Sequence, residues 1–170
     1  MYRTLASIAT AVALASCATA GEQTFAEANS GTYELEKTHA FITWRISHNG
    51  LSKYTARFTD FDATIQFDPD NPVASSVSAS INPLSVETDH PTKRESWNNQ
   101  IATDGKFLNG EEFPAITFES TSVEQTGEFT GIITGNLTLL GISKEVEMTA
   151  LLPAIGDEIE VIIEAEFLEQ

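Results

Sequence analysis

Along most of the chain, apolar and polar residues alternate one by one. Ile159, Val161, Ile163, Ala165 and Phe167 alternate with Glu158, Glu160, Ile162, Glu164 and Glu166. That is the period of a strand with one face on a core and a carboxylate-rich face in water. Val146, Met148, Ala150 and Leu152 repeat it, as do Phe129, Gly131, Ile133, Gly135, Leu137 and Leu139. Earlier, the phase runs through Phe61, Ala63, Ile65 and Phe67, then Val77, Ala79 and Ile81 with serines 76, 78 and 80 facing out, and again through Ile116 and Phe118. Turn residues fall between the runs, at Asp68-Pro69-Asp70-Asn71-Pro72, Thr126-Gly127, Gly141 and Gly156-Asp157. The pattern predicts antiparallel β-structure from Gly31 onward.

Residues Asp89 to Ala102 break the rhythm. Pro91 stands at a first turn, Thr92 and Glu95 at capping-box spacing, and Trp97 and Ile101 four apart. A short helix is expected there, followed by an irregular stretch through Phe107 and Phe113, with the helix laid over one end of a barrel. Long strands with one apolar face hide that face against a second sheet or by curling into a barrel. Gly131 and Gly135 fall on the inward parity, where a missing side chain relieves crowding and leaves room. An eight-stranded barrel is wide enough to be packed solid or to hold one slender ligand. The fold class expected is all-β, an antiparallel barrel with one short helix.

The first twenty residues have a different character. Met1-Tyr2-Arg3 is weakly positive, and Leu5 to Ala15 is apolar without an acidic residue. The run is too short to span a bilayer and suits the apolar region of a secretory signal. No other segment reads as a transmembrane helix. Two processing routes compete. Ala18-Thr19-Ala20 is a small-residue cleavage site, whereas Leu14-Ala15-Ser16-Cys17 resembles a bacterial lipobox with lipidation of Cys17. Cys17 is the only cysteine, so no disulfide forms within the chain. The expected division is a signal over 1–20, a tether over 21–30 and a barrel domain over 31–168, with the protein periplasmic and membrane-associated only through a lipid anchor.

Composition narrows the function classes. The 170 residues carry 25 acidic against 9 basic side chains, a net charge of −16, which leaves no clustered cations for nucleic acid. Histidines 39, 48 and 90 show no metal-ligand spacing, and neither a nucleophile elbow nor a glycine-rich phosphate loop is present. The carboxylates fall on outward parity. The sequence therefore suggests no enzyme, no catalytic residue, no metal and no cofactor other than a bound lipid. His48 shares parity with Ile42, Trp44 and Ile46, and a buried imidazole there needs a hydrogen-bond partner or a ligand head group.

Several motifs in fixed order then carry a family resemblance. Thr38-His39-Ala40, Phe41 to Trp44 and Ile46-Ser47-His48-Asn49-Gly50 are similar to the opening of the YceI-like polyisoprenoid-binding family. Phe58-Thr59-Asp60-Phe61-Asp62, Ser85-Val86-Glu87-Thr88 and Arg94 follow in order. So do Phe113-Pro114-Ala115-Ile116-Thr117-Phe118-Glu119-Ser120, Gly135-Asn136-Leu137-Thr138-Leu139-Leu140-Gly141 and Gly156-Asp157-Glu158. The resemblance spans nearly all of Gly31 to Phe167. It implies a lipocalin-like barrel, exported, enclosing the tail of a polyisoprenoid or similar long lipid.

Ile42, Trp44, Ile46, His48, Phe61, Ile65, Ile133, Leu137 and Met148 are the candidate ligand-lining residues, and core packing demands the same residue types. The alternative function is a non-enzymatic periplasmic interaction or stress-response module with a packed barrel and an acidic surface.

The chain departs from the family in one place. Met148-Thr149-Ala150 runs almost directly into Leu151-Leu152-Pro153-Ala154-Ile155-Gly156-Asp157, where relatives have a further strand. In an antiparallel meander each strand reverses direction, so losing one brings the last strand in from the wrong end. Either the last strand hairpins with the strand at Val146, or the segment from Leu151 runs back along the barrel. In both cases an open edge is expected beside Lys144 to Ala150, an edge that invites homodimerisation.

Overall fold

The computed structural model describes residues 29–127, 130–151 and 163–164. The expected signal, Cys17, most of the tether and most of the last strand lie outside the described residues. The alternating runs form strands: β1 (Gly31–Glu34), β2 (Ile42–His48), β3 (Ser52–Phe58), β4 (Phe61–Phe67), β5 (Ser76–Ile81) and β6 (Val86–Glu87). After helix α1 (Arg94–Thr103) come β7 (Ile116–Gln125), β8 (Thr130–Leu139), β9 (Ile142–Leu151) and β10 (Ile163–Glu164). Six strands pair in the order β1-β4-β5-β7-β8-β9 and four in the order β10-β2-β3-β6.

The two groups are parts of one curved ribbon. β4 pairs with β5 while β3, its direct continuation, pairs with β6. Between these ladders Thr59 N–H donates to Ser85 O (3.2 Å) and Asn82 N–H to Asp60 O (2.9 Å), carrying the hydrogen bonding across the corner. β1 pairs with β4 and β2 with β3, and Leu35 N–H donates to Ala63 O (3.0 Å) between them. Residues 31–48, 52–67 and 76–87 are thus three long antiparallel strands, all bent at one level.

Short polar side chains satisfy the backbone at that bend, as buried or strained amides require. Ser85 Oγ accepts from Asp60 N–H (3.0 Å) and donates to Asn82 O (2.7 Å). Asn82 Oδ1 accepts from Leu84 N–H (3.0 Å) at the start of a 3-10 turn over Pro83–Ser85. The tight hairpins after β2 and β8 place Asn49 and Gly50 (φ 52° and 70°), and Leu140 and Gly141 (φ 52° and 71°), in the left-handed region. Leu140-Gly141 is the two-residue turn whose twist matches the strands, and Asn49-Gly50 has the same backbone with Leu51 as one further residue before β3.

The fully buried cluster comprises Ala56, Phe58, Ile81, Val86, Ile101, Ala102 and Ile116, and α1 supplies two of these seven. The core therefore sits at the helix end, as expected for a helix laid over the ribbon. The helix start differs from the capping-box expectation. Lys93 is the N-cap and makes no side-chain cap bond. The His90 ring instead holds the turn that leads into the helix, its Nδ1 accepting from Thr92 N–H (3.3 Å) and Lys93 N–H (3.1 Å).

Among the described residues the sheet is not closed. β9 pairs with β8 along its full length and, among the described residues, with no other strand. β10 runs parallel to β2, Ile163 beside Trp44 and Glu164 beside Arg45. That is the direction the strand count requires when one strand is missing. It matches neither expected route: among the described residues β10 forms no hairpin with β9, and a segment running back along the barrel would have brought it in antiparallel to β2.

Candidate functional site

The inner face of the ribbon is the surface on which a ligand would lie, and its two halves differ. Toward the helix, Ile42, Trp44, Phe61 and Leu137 pack against the buried cluster. Beyond the bend, Ile65, Ile133 and Met148 are only half buried, with Ile65 opposite Val77 and Ile133 opposite Met148. The register brings seven of the nine candidates onto this face.

Ile46 and His48 depart from the expectation. Ile46 is 37% exposed and His48 is exposed at the hairpin end. The β2–β3 hairpin overshoots the core, so the inward parity there meets water. His48 needs no buried partner, and its carbonyl accepts from Leu51 N–H in the turn (3.1 Å).

The expected room at the two inward glycines is also taken up. Gly131 and Gly135 are buried, but a Cβ at 135 would stand 2.6 Å from Phe118 Cε2 and 2.5 Å from Glu119 O. One at 131 would stand 3.0 Å from Glu124 O. The space at Gly135 accommodates the Phe118 ring, not a ligand. An adjacent bulge between Ser120 and Ser122 sets that register, with Ser120 Oγ accepting from Val77 N–H (2.8 Å) where the β5 ladder ends.

The helix end holds an aromatic group. The Trp44 ring lies 6.3 Å from Tyr54 and 6.2 Å from Phe58, centroid to centroid. From α1, Trp97 Nε1 donates to Tyr54 Oη at 2.7 Å, and its ring meets Phe107 edge-on at 6.2 Å. The Tyr54–Trp97 bond was not among the sequence expectations. Its signal was present in Tyr54 sharing parity with Ala56 and Phe58, and Trp97 lying one turn before Ile101. The Trp44 indole nitrogen is buried and, among the described residues, has no hydrogen-bond partner.

The Thr38-His39 motif does something local. The Glu36 carboxylate accepts from Thr38 Oγ1 (2.6 Å), Thr38 N–H (3.0 Å) and His39 N–H (3.1 Å), and meets His39 Nδ1 at 2.5 Å. Those hydrogen bonds, the Thr38 hydroxyl first, hold the Glu36 carboxyl down to about 2. The motif closes the β1–β2 turn in open solvent.

Two open clefts flank the bend. One of about 260 Å³ is lined by Lys37, Ala40, Phe41, Arg57, Thr59, Asp60 and Phe61. The other, about 190 Å³, shares Lys37, Asp60 and Phe61 with it. Their cations are engaged, Lys37 with Asp62 (3.0 Å) and Arg57 with Glu87 (2.5 Å), so neither cleft presents an unpaired cation to an anion. Among the described residues no group of three metal-ligating side chains occurs, and no helix is long and apolar enough to cross a membrane.

A helix-capped, curved antiparallel ribbon with an apolar inner face defines a protein of the antiparallel barrel-fold class. The chain belongs to the family of the YceI-like domain, whose model matches residues 33–167. A UPF0312 protein of Pseudomonas aeruginosa is 40% identical over 160 residues, covering 93% of this chain and 76% of that protein. Protein YceI of Salmonella arizonae is 40% identical over 137 residues, covering 79% and 69%. Among solved structures, BcnA of Burkholderia cenocepacia aligns with a TM-score of 0.61 at 20% identity over 68% of this chain and 69% of that one, a likeness of fold alone. A Campylobacter jejuni YCEI protein aligns at 0.52 with 28% identity, over 70% and 67%.

Proposed function

We propose that the chain is a non-catalytic carrier that holds a polyisoprenoid, or the prenyl tail of a quinone, against the inner face of its barrel. The observation that carries this reading is the uneven filling of that face. The fully buried cluster is confined to the helix end, while Ile65, Val77, Ile133, Val146 and Met148 beyond the bend are left only half buried. A packed module would have buried them. A prenyl tail offers no hydrogen bonds, so its affinity comes from removing apolar area from water. At about 0.3 kcal/mol per heavy atom, each five-carbon unit contributes roughly 1.5 kcal/mol, and a few units suffice for tight binding without any charged contact. Organic extraction of the purified protein followed by mass spectrometry tests this. A prenyl lipid at near-equal molar amount is expected; an extract empty of long lipids would overturn the reading.

The carrier reading also fits export to the periplasm. The apolar run ending in Leu14-Ala15-Ser16-Cys17 supports lipidation at Cys17, which would hold the barrel near a membrane, within reach of its ligand. Metabolic labelling with a fatty acid should mark the wild type and not Cys17→Ser. A mature N-terminus at Gly21 would exclude the anchor.

A further inference from the structure

We propose that the indole N–H of Trp44 donates a hydrogen bond to an oxygen of the bound lipid, so that the interior selects prenyl lipids bearing a neutral oxygen acceptor over pure hydrocarbon. This rests on the carrier reading and deepens it. The chain contains two tryptophans, and the structure treats them differently. Trp97 Nε1 is satisfied by Tyr54 Oη at 2.7 Å. Trp44 Nε1 is buried and, among the described residues, without an acceptor. A buried donor left unmatched costs the folded protein its desolvation penalty, and water or a ligand oxygen removes that cost.

The surroundings narrow what can remove it. Trp44 stands on β2 opposite Ala56, with the rings of Tyr54 and Phe58 a little over 6 Å away. Ala56 and Phe58 offer no side-chain acceptor. Tyr54 has its oxygen engaged as acceptor by Trp97, which directs its own hydroxyl hydrogen elsewhere. Among the described residues the group therefore presents donors in an apolar setting and no negative or positive charge. Its complement is a neutral acceptor: a quinone carbonyl, or the hydroxyl oxygen of a polyprenol. A carboxylate or phosphate would enter without a countercharge beside it, which burial penalises. An oxygen-free chain would leave the indole unmatched.

Three probes of similar apolar size separate the sources: a prenyl quinone, a polyprenol and squalene. The full purified chain, delipidated, should bind the oxygenated probes about tenfold more tightly than squalene, the worth of matching one buried donor. Trp44→Phe should abolish that preference while still binding squalene. Because this substitution also alters packing, the wild type supplies a second measurement. In a spectrum of the two ¹⁵N-labelled indoles, the quinone or the polyprenol should move the Trp44 N–H resonance downfield, with squalene failing to do so and Trp97 serving as the reference. A shift with both oxygenated probes supports a general oxygen acceptor, and with the quinone alone a carbonyl. Equal affinity for all three probes, or an unmoved Trp44 resonance on binding, overturns the proposal while the carrier reading stands. Failure of all three to bind overturns the carrier reading, and this one with it.

Discussion

Gly135 is a glycine because the Phe118 ring from the neighbouring strand lies across its backbone. Both are buried, and a Cβ at 135 would overlap the ring and crowd the carbonyl of Glu119. A Gly135→Ala substitution is expected to cost about 1–3 kcal/mol through overpacking, read as a lowered midpoint in urea unfolding at unchanged slope. An unmoved midpoint would mean that the ring has somewhere else to go. The alternation of β8 showed that Gly135 faces inward. It did not show what fills the space, because Phe118 comes from another strand whose register is shifted by the bulge at Ser120. Trp44 was legible in the same partial way. Parity placed its ring inside, but an indole without an acceptor is a property of its neighbours on β3 and α1, and no spacing along β2 encodes it. His48 was misread because parity says which way a side chain points and not whether anything packs there.

At the scale of elements, the bends in the three long strands left a mark in the sequence that alternation counted strand by strand passes over. Tyr54, Ala56 and Phe58 face inward on even positions, whereas Phe61, Ala63 and Ile65 continue on odd ones. The next strand slips the opposite way, from Val77, Ala79 and Ile81 to Val86. Such a slip is what a corner requires, since a straight strand carried past it would turn its apolar set outward. Serine, threonine, asparagine and aspartate at the slip, Thr59-Asp60 and Asn82 with Ser85, supply the local acceptors and donors. The start of α1 was misassigned for a comparable reason. Thr92 and Glu95 have the spacing of a reciprocal cap, but the His90 ring takes the Thr92 amide together with that of Lys93, and the helix starts only at Arg94. It then leaves Lys93 as a cap in name only.

For the whole molecule, the number of strands decides how the barrel ends. A missing strand reverses the arrival of β10, which lies parallel to β2 and leaves β9 paired on one side among the described residues. Hydrogen exchange reads this arrangement directly. Backbone amides of Ile142–Leu151 that point away from β8 should exchange like solvent-exposed groups, and those of β8 should be protected. Protection on both edges of β9 would show the barrel closed. The pairing of β10 with β2 also orders events in time. Strands β7, β8 and β9 follow one another through short connections and form from contacts close in sequence, which is fast. Ile163 must find Trp44 across nearly the whole domain, and the loop closed in doing so costs entropy that grows with its length. Among the described residues, two residue pairs repay that cost in the β10–β2 ladder. The junction of the first long strand with the last is therefore expected to form last in folding and to reverse first, so that amides of Trp44 and Arg45 facing β10 should exchange ahead of those facing β3.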